Sequence, residues 1–252
     1  YQRALWRSTK ANGQRLGWST QRTRLGVLKD FFRWLTKQNV ILHNPASELE
    51  LPRMEKRLPT AALTLTQVEA LLAVPNVADP LGVRDRAMLE LFYSCGLRRA
   101  ELCRLELTDL NPERRTLTIR RGKGKKDRVV PVGARAVAWL ERYLKEVRPR
   151  LCLDTRTPAL FLTGYGDAFN PDVVSRMTAD WMKAAGLKGS CHLVRHTCAT
   201  HLVKNDANLR HVQDILGHRS LNTTERYLRL AITDLKQAHR NFHPREPRSD
   251  KP

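Results

Sequence analysis

The chain lacks the features that would assign it to a membrane or a secreted class of protein. No stretch approaches the ~18 uncharged apolar residues that a membrane-spanning helix needs, and no signal peptide is visible. The five cysteines are odd in number and scattered, without a C-x-x-C pair. A disulfide framework is therefore not expected, and the pattern predicts a protein of the reducing cytoplasm.

Acidic residues are also scarce, because 25 Asp and Glu stand against 45 Lys and Arg and leave a formal net charge of +20. An excess of one sign destabilises a compact protein through self-repulsion, so it usually serves a polyanionic partner. A basic surface that only maintains solubility is the alternative. The composition therefore predicts nucleic acid, and not a membrane, as the partner.

The first part of the chain has a helical pattern that ends in a proline-containing segment. Within residues 19–38, apolar residues recur at helical spacing, and Ser19 is the expected N-cap. The apolar stripe consists of Leu25, Leu28, Phe32 and Leu35. Residues 43–59 then hold three prolines and mixed charge, which is typical of a linker.

With 252 residues, the chain is long enough for two modest domains. We predict a helical DNA-binding domain over 1–50, a linker over 51–60, a second domain over 61–243 and a polar tail over 244–252. Because the chain starts at Tyr1 rather than Met, we expect the first domain to be truncated.

The second domain is predicted to be mostly helical with one small sheet. Thr66 is the expected cap of its first helix, and residues 81–95 form a strongly apolar helix that Gly96 ends. Residues 116–132 alternate at period two on either side of a very basic turn, which predicts a β-hairpin. From Val137 onward the periodicity is helical again. The predicted class is therefore mainly α with a small antiparallel β-sheet (α+β).

The stretch HLVRHTCATH, residues 192–201, gathers three histidines and an arginine. On a helix, His192 and Arg195 face the same way, so both can point into a cleft while the apolar side packs. A zinc site is the alternative, with possible ligands Cys191, His192, His196, Cys198 and His201. The adjacent Cys191 and His192 cannot both chelate easily, which disfavours zinc.

One of the five tyrosines, Tyr227, has polar neighbours that could activate a phenol. Gly217 ends a predicted helix and leaves His218 just beyond it, and the residues before Tyr227 have the spacing of a capping box. The other tyrosines are expected in the core, in a turn or at the chain start: Tyr93, Tyr143, Tyr165 and Tyr1. An amphipathic cap on the last helix is the structural alternative for Tyr227.

Two basic motifs lie upstream. In GLRRAEL, Arg98 follows a helix-ending glycine, and Glu101 stands three residues on, where it can pair with Arg98 or orient it. In RGKGKKDR, Lys123 stands between two glycines at the hairpin tip and can reach outward. Taken alone, the first is an ordinary surface arginine, and the second is a solvated loop or a nonspecific phosphate contact.

In this order, GLRRAEL, RGKGKKDRVVPV, HLVRH and LGHRSLNTTERY resemble the motifs of the tyrosine recombinase (phage integrase) family, and most closely its Xer-like bacterial members. Residues 19–59 also resemble the helical core-binding domain of that family. The resemblance implies a two-domain DNA clamp, in which a SAM-like helical core-binding domain precedes a tyrosine recombinase catalytic domain. Each motif alone is weak, whereas the ordered set is specific.

The resemblance implies six catalytic residues: Arg98, Lys123, His192, Arg195, His218 and Tyr227. Tyr227 would be the nucleophile, and Lys123 would be the general acid. The implied activity is site-specific cleavage and rejoining of double-stranded DNA through a 3′-phosphotyrosyl intermediate, for integration, excision or resolution. It needs no metal, ATP or other cofactor. Dimers to tetramers of the chain would act on DNA, and the need for a partner recombinase stays open.

Three other functions stay open at this point. A type IB topoisomerase-like enzyme shares the nucleophile and the arginines, but that family tends to carry lysine where this chain has His192. A non-catalytic DNA-binding paralogue is disfavoured by the complete set of six residues. A hydrolytic nuclease is expected to need metal carboxylates, and no acidic cluster suited to Mg²⁺ accompanies the set.

Overall fold

The structure is a computed structural model that describes residues 1–53, 61–120 and 127–217. The chain divides into two compact units, Tyr1–Leu58 and Pro59–Pro252. Within the described residues the fold is mainly helical with one small antiparallel sheet, so the predicted class is confirmed. No helix in the three described ranges is long and apolar enough to cross a membrane.

Over its described residues, 1–53, the first unit contains two helices, α1 (Gln2–Arg7) and α2 (Trp18–Lys37). Of the predicted apolar stripe of α2, Leu25 is buried and packs with Leu5 and Leu16. The rest of the stripe is half-buried: Leu28, Phe32 and Leu35. Two partly buried side chains complete this small core, Leu49 and Leu51.

The start of α2 differs from the prediction. The N-cap is Gly17 rather than Ser19, and no side chain caps the helix. Glycine is a tolerated N-cap residue. In addition, the buried side-chain amide of Gln21 donates to the carbonyl of Leu16 at 2.7 Å. This hydrogen bond connects the first turn to the residue before the cap. The helix therefore begins before Ser19, the N-cap that the sequence predicted.

The second unit has its elements in the following chain order within the described residues: α3 (Leu65–Ala73), α4 (Pro80–Cys95), α5 (Arg99–Cys103), β1 (Leu110–Asn111), β2 (Thr116–Ile119), β3 (Arg128–Pro131), α6 (Ala134–Arg142), α7 (Arg148–Leu151), α8 (Pro171–Ala184), α9 (Cys191–Lys204) and α10 (Leu209–Leu216). A 3-10 turn (Leu107–Asp109) precedes β1, and a π-helical turn (Tyr143–Val147) joins α6 to α7. The predicted helix that would hold Tyr227 lies outside the described residues.

Helix α3 begins two residues earlier than its predicted cap allows. Thr64 forms a reciprocal capping box with Gln67, in which each side chain accepts from the other residue's backbone N–H. The predicted cap, Thr66, lies inside the first turn and is exposed. Both threonines have a glutamine or glutamate three residues later, Gln67 or Glu69, so the motif alone does not choose between them. In the structure Glu69 instead accepts from Arg135 on α6 at 2.9 Å.

Helix α4 is the central helix of the second unit and contacts both α6 and α9. Its side chains Met88 and Phe92 are fully buried. The helix ends at Gly96, as predicted, and this residue has a left-handed φ of 56°. A Cβ at Gly96 would lie 2.7 Å from Cδ2 of Leu216, so the turn after α4 has room only for glycine.

The three strands form an antiparallel sheet in the order β1-β2-β3. Strands β2 and β3 are the arms of the predicted hairpin, with Leu117 opposite Val130 and Ile119 opposite Arg128. The two β2 residues and Val130 are buried. Because strand residues two apart share a face, Arg128 projects from the core side of β3. The basic turn with Lys123 lies outside the described residues.

Candidate active site

Helix α9 carries the HLVRH motif at its N-terminal end. Ser190 caps the helix, because its hydroxyl accepts a hydrogen bond from the backbone N–H of His192 at 3.4 Å. His192 is exposed on the first turn, whereas Arg195 is buried with only 4% of its surface accessible. Arg195 therefore lies deeper than the predicted cleft position, because neighbouring helix ends surround it.

The Arg195 guanidinium bridges the C-terminal ends of two helices. Nη1 donates to the carbonyl of Gly96, at the end of α4, and Nη2 donates to the carbonyl of Leu216, at the end of α10, each at 2.6 Å. Carbonyls at helix C-termini lack a partner within their helix and lie at the negative end of the helix dipole. A guanidinium supplies both hydrogen-bond donors for these carbonyls and a positive charge at the negative ends of the dipoles. Arg195 therefore joins α4, α9 and α10.

Arg98 reaches the same end of α10 from the GLRRAEL motif. Its Nη2 donates to the carbonyl of Gly217 at 3.0 Å, and its Nη1 donates to Oε1 of Glu101 at 2.6 Å. Glu101 also accepts from the backbone N–H of Arg98 at 2.9 Å, so the predicted pairing of these two residues is present. Because Leu216 and Gly217 are consecutive, Arg98 and Arg195 meet at one helix end.

A third arginine, Arg128 on β3, completes this cluster and is absent from the predicted site. Its Nε donates to the carbonyl of Ile215 at 2.9 Å. Its Nη1 and Nη2 donate to the two oxygens of Glu101 at 2.9 and 2.8 Å. The sequence does contain a signal for it, since a charge shares the core-facing side of the strand with the buried Val130. Such a charge needs a buried partner.

Glu101 is the carboxylate that the two arginines Arg98 and Arg128 share. Burial alone raises the pKa of Glu101, but hydrogen bonds from the Arg128 side chain and from the backbone and side chain of Arg98 outweigh burial and lower this pKa to about 2. Glu101 is therefore ionised at neutral pH. It fixes the orientation of Arg98 through paired, charge-assisted hydrogen bonds.

The potential zinc ligands of α9 point to separate partners. The thiol of Cys191 donates to the hydroxyl of Thr178 at 3.1 Å. Burial raises the pKa of Cys198 to about 12, so this thiol stays protonated and is a poor metal ligand. Within the described ranges, no three His, Cys, Asp or Glu residues lie close enough together to hold a metal ion.

His201 has a structural setting of its own. Burial lowers the pKa of His201, so the ring is neutral. Its Nε2 donates to the carbonyl of Leu63 at 2.8 Å, and its Nδ1 accepts from the hydroxyl of Tyr93 at 2.8 Å. The backbone N–H of Leu63 also donates to Thr197 Oγ1 at 3.1 Å. Two residues of α9 thus hold the segment that precedes α3.

Two of the four tyrosines of the described residues have raised pKa values, which disfavour the nucleophilic phenolate. Tyr143 is buried, its oxygen accepts from the backbone N–H of Leu162, and burial raises its pKa to about 12. Tyr93 is bound to His201, and burial raises its pKa as well. Tyr165 lies in a turn and is 83% exposed, and Tyr1 is exposed at the chain start. Three predicted site residues, Lys123, His218 and Tyr227, lie outside the described residues.

Residues 61–233 match the phage integrase family. The chain belongs to this family. It is 48% identical over 246 residues to tyrosine recombinase XerC 2 of Ralstonia nicotianae, an alignment that covers 97% of this chain and 71% of that protein. It is 40% identical over 223 residues to tyrosine recombinase XerD of Pseudomonas aeruginosa, which covers 88% of this chain and 74% of the relative.

Two solved structures of recombinases have a similar fold. The XerA recombinase superposes with a TM-score of 0.65 and 28% identity, over 92% of this chain and 78% of that one. The XerH site-specific recombinase, in a post-cleavage complex with its palindromic difH substrate, superposes with a TM-score of 0.73 and 25% identity, over 88% of this chain and 67% of that one. The predicted family is therefore confirmed.

Proposed function

We propose that this chain is a site-specific DNA recombinase that cleaves and rejoins strands through a covalent 3′-phosphotyrosyl intermediate. The observation that carries the proposal is the meeting of Arg98 and Arg195 at the end of α10. From Gly217 the chain continues directly into His218 and then to Tyr227. The two relatives are named as tyrosine recombinases, which supports the same assignment.

The two arginines suit a phosphodiester under attack. In-line attack gathers negative charge on the equatorial oxygens of the phosphate, and planar guanidiniums match those oxygens with paired donors. The contacts of Arg98 and Arg195 with α10 and with Glu101 limit where the guanidiniums can lie. Such preorganisation is what electrostatic stabilisation of a transition state requires.

Tyr227 is the proposed nucleophile. Its phenolic oxygen attacks phosphorus, the bond from phosphorus to the 5′ oxygen breaks, and Lys123 donates a proton to the leaving oxygen. The imidazoles of His192 and His218 can hold or move the phenolic proton. The ester keeps the bond energy of the original linkage, so a second 5′-hydroxyl can reverse the step on a new strand. The reaction therefore needs neither ATP nor another cofactor.

The architecture proposed for DNA binding is a two-domain clamp, formed by a SAM-like domain over 1–50, a linker over 51–60 and a catalytic domain over 61–243. The net charge of +20 and the two compact units support it. Two to four copies of the chain would act on one DNA synapse. Affinity for duplex DNA should fall by orders of magnitude between ~50 and ~200 mM salt. A flat salt response would contradict the clamp.

Covalent capture tests the function directly. The protein is incubated with a random-sequence duplex pool, and DNA adducts that resist SDS are isolated and sequenced to find the target site. Tyr227→Phe should abolish the adduct and keep DNA binding, because only the phenolic oxygen is removed. The matched control is Tyr165→Phe, which removes the hydroxyl of an exposed turn residue and should leave the adduct unchanged.

An adduct with the Tyr227→Phe variant would refute the assignment of the nucleophile. The wild-type reaction should also persist in EDTA. Loss of activity there, restored by Mg²⁺, would favour a metal-dependent nuclease instead.

The role of Lys123 can be tested with sulfur in place of the 5′-bridging oxygen of the captured site. Lys123→Ala should block cleavage of the ordinary phosphodiester but cleave the sulfur substrate, because a thiolate leaves without a proton donor. Lys125→Ala and Lys126→Ala are the matched controls and should cleave both substrates. Rescue by sulfur of a Lys125 or Lys126 variant, and not of Lys123→Ala, would reassign the acid.

A further inference from the structure

Arg128 connects three parts of the site that are far apart in sequence. It lies at the start of β3, in the strand that follows the basic turn containing Lys123. Through Nη1 and Nη2 it binds both oxygens of Glu101, and through Nε it binds the carbonyl of Ile215 at the end of α10. Its side chain is only 12% exposed, so these contacts lie inside the unit.

The end of α10 is held by one arginine at each of three consecutive carbonyls. Arg128 binds the carbonyl of Ile215, and the two predicted arginines bind the next two carbonyls. Arg128 differs from those two because its Nη atoms both serve the carboxylate of Glu101, which also orients Arg98. The Nε, Nη1 and Nη2 atoms of Arg128 therefore all bind groups that hold the site together, and two of the three bind the carboxylate that orients Arg98.

The fit between Arg128 and the turn after α10 is close. Gly217 has a left-handed φ of 62°, and a Cβ there would lie 3.0 Å from Nη1 of Arg128 and 3.1 Å from its Cζ. The backbone at Gly217 therefore packs directly on the guanidinium. A change in the position of Arg128 would be transmitted to this turn, and from Gly217 the chain continues into His218.

We propose that Arg128 is a positioning residue for strand cleavage, which acts by holding Glu101 and the C-terminal turn of α10 in register with Arg98. This proposal rests on the proposed recombinase function. In this proposal Arg128 supports the placement of the catalytic arginines and takes no part in proton donation by Lys123.

Arg120 provides a matched control on the same hairpin. It follows β2, forms an ion pair with Asp109 at 2.7 Å and donates to the hydroxyl of Thr108 at 3.3 Å. Like Arg128 it is an arginine bound to a buried carboxylate. Its described contacts include neither α10 nor Glu101. Arg120→Gln therefore removes an arginine–carboxylate pair of the same hairpin without touching the cluster, although Arg120 is 51% exposed and Arg128 only 12%.

The test compares wild type, Arg128→Gln, Arg128→Lys and Arg120→Gln on the duplex site captured with wild-type protein. Arg128→Gln should lower the single-turnover rate of adduct formation by about 100-fold, the effect of misplacing a catalytic group by about 1 Å. Its dissociation constant for DNA should change by less than about threefold, because no phosphate contact is lost. Arg128→Lys should lie in between, since lysine keeps the charge but not the planar fork.

Two further measurements separate positioning from other roles. Sulfur in place of the 5′-bridging oxygen should not restore cleavage by Arg128→Gln. Full restoration would mean that Arg128 acts in protonation of the leaving oxygen, together with Lys123, and would overturn the proposal. Amide hydrogen exchange over residues 212–217 should accelerate in Arg128→Gln and stay unchanged in Arg120→Gln. A wild-type cleavage rate, or a loss equal to that of Arg120→Gln, would likewise overturn it.

The exchange measurement also separates this proposal from the proposed function. If wild-type protein forms no adduct with any duplex of the pool, the recombinase function is wrong. In that case, unchanged exchange over 212–217 in Arg128→Gln still refutes the role of Arg128 in holding the turn, and accelerated exchange still supports it.

Discussion

Glu90 and Glu101 are two buried glutamates that are each bound by two arginines, yet their surroundings differ. Glu90 on α4 accepts from Arg86 at 2.9 and 3.0 Å and from Arg135 at 3.1 Å. Arg86 also packs over the ring of Trp139, 5.1 Å from its centroid. Its Nη1 donates to a carbonyl of α3. This cluster ties α3, α4 and α6 together.

Glu101 is likewise bound by two arginines, but the remaining donors of those arginines bind a different part of the protein. Arg98 and Arg128 each use their remaining donors on backbone carbonyls at the end of α10. Exposure does not separate the two clusters, because each pairs a largely buried arginine with a more exposed one: Arg128 with Arg98, and Arg86 with Arg135. The comparison shows that a buried Arg–Glu–Arg cluster does not by itself identify an active site. The two clusters differ in which helix end their outer donors reach: Arg86 binds the end of α3, whereas Arg98 and Arg128 bind the end of α10, from which the chain continues to the proposed site residues His218 and Tyr227.

The sharpest test of this distinction is Arg98→Lys. Lysine keeps the positive charge but loses the planar pair of donors, so the single-turnover rate of DNA adduct formation should fall by about 10²–10³. The free energy of unfolding in urea should change by only about 1–2 kcal/mol, because lysine keeps the charge beside Glu101 and Arg128 still pairs with this carboxylate. Arg135→Lys, in the Glu90 cluster, is the control and should keep the wild-type rate.

Glu90→Gln should show the opposite behaviour. It leaves Arg86 beside a neutral group in the interior, and breaking a buried ion pair typically costs about 3–5 kcal/mol of unfolding free energy. Because Arg135 is 48% exposed, the expected loss is at the lower end, about 3 kcal/mol. The adduct rate per folded molecule should be unchanged. A rate that falls together with stability would remove the distinction between the two clusters.

The pH dependence of stability gives a smaller effect that is specific to Glu101. Its pKa is lowered to about 2 in the folded protein, so its contribution is fully present above the ordinary glutamate pKa of ~4.3 and is lost as pH falls toward 2. Between pH 5 and pH 3, wild type should lose about 1–2 kcal/mol more unfolding free energy than Glu101→Gln. Equal losses in the two proteins would contradict the lowered pKa.

Arg99→Ala should have the smallest effect. Arg99 is the neighbour of Arg98 in GLRRAEL, but it pairs with the exposed Asp172 at 3.1 Å on the surface. Exposed ion pairs contribute about 0–1 kcal/mol, so the free energy of unfolding should change by less than about 1 kcal/mol. The adduct rate should stay close to that of wild type. A large loss of rate would mean that the wrong arginine of the pair was assigned to the site.

Local patterns in the sequence were sufficient for much of the fold. The left-handed turn at Gly96 and the pairing of Arg98 with Glu101 are both decided within a few residues, and both are present. The alternation on either side of the basic turn likewise yields the antiparallel pair β2 and β3. These features are encoded by neighbours in the chain, so periodicity and capping chemistry are enough to find them.

Features that depend on distant elements were missed or misplaced. The amphipathic pattern put Arg195 on a polar face beside His192, but α4 and α10 both end against it and leave it buried. The partners of Arg128 are similarly remote in sequence, at Glu101 and Ile215. No short stretch of the sequence contains both partners of any of these contacts. A charge on the core side of β3 indicated only that Arg128 needed a partner.

The contacts that the three arginines make with α10 are to main-chain oxygens and not to side chains. Any sequence that forms the helix and its glycine turn offers the same oxygens, so the cluster places no demand on the identity of the exposed α10 residues Arg210, His211 and Asp214. A directed-evolution library could therefore randomise these three positions while the glycine turn is kept. The exposed residues of α10 can thus be varied while the arginine cluster stays intact.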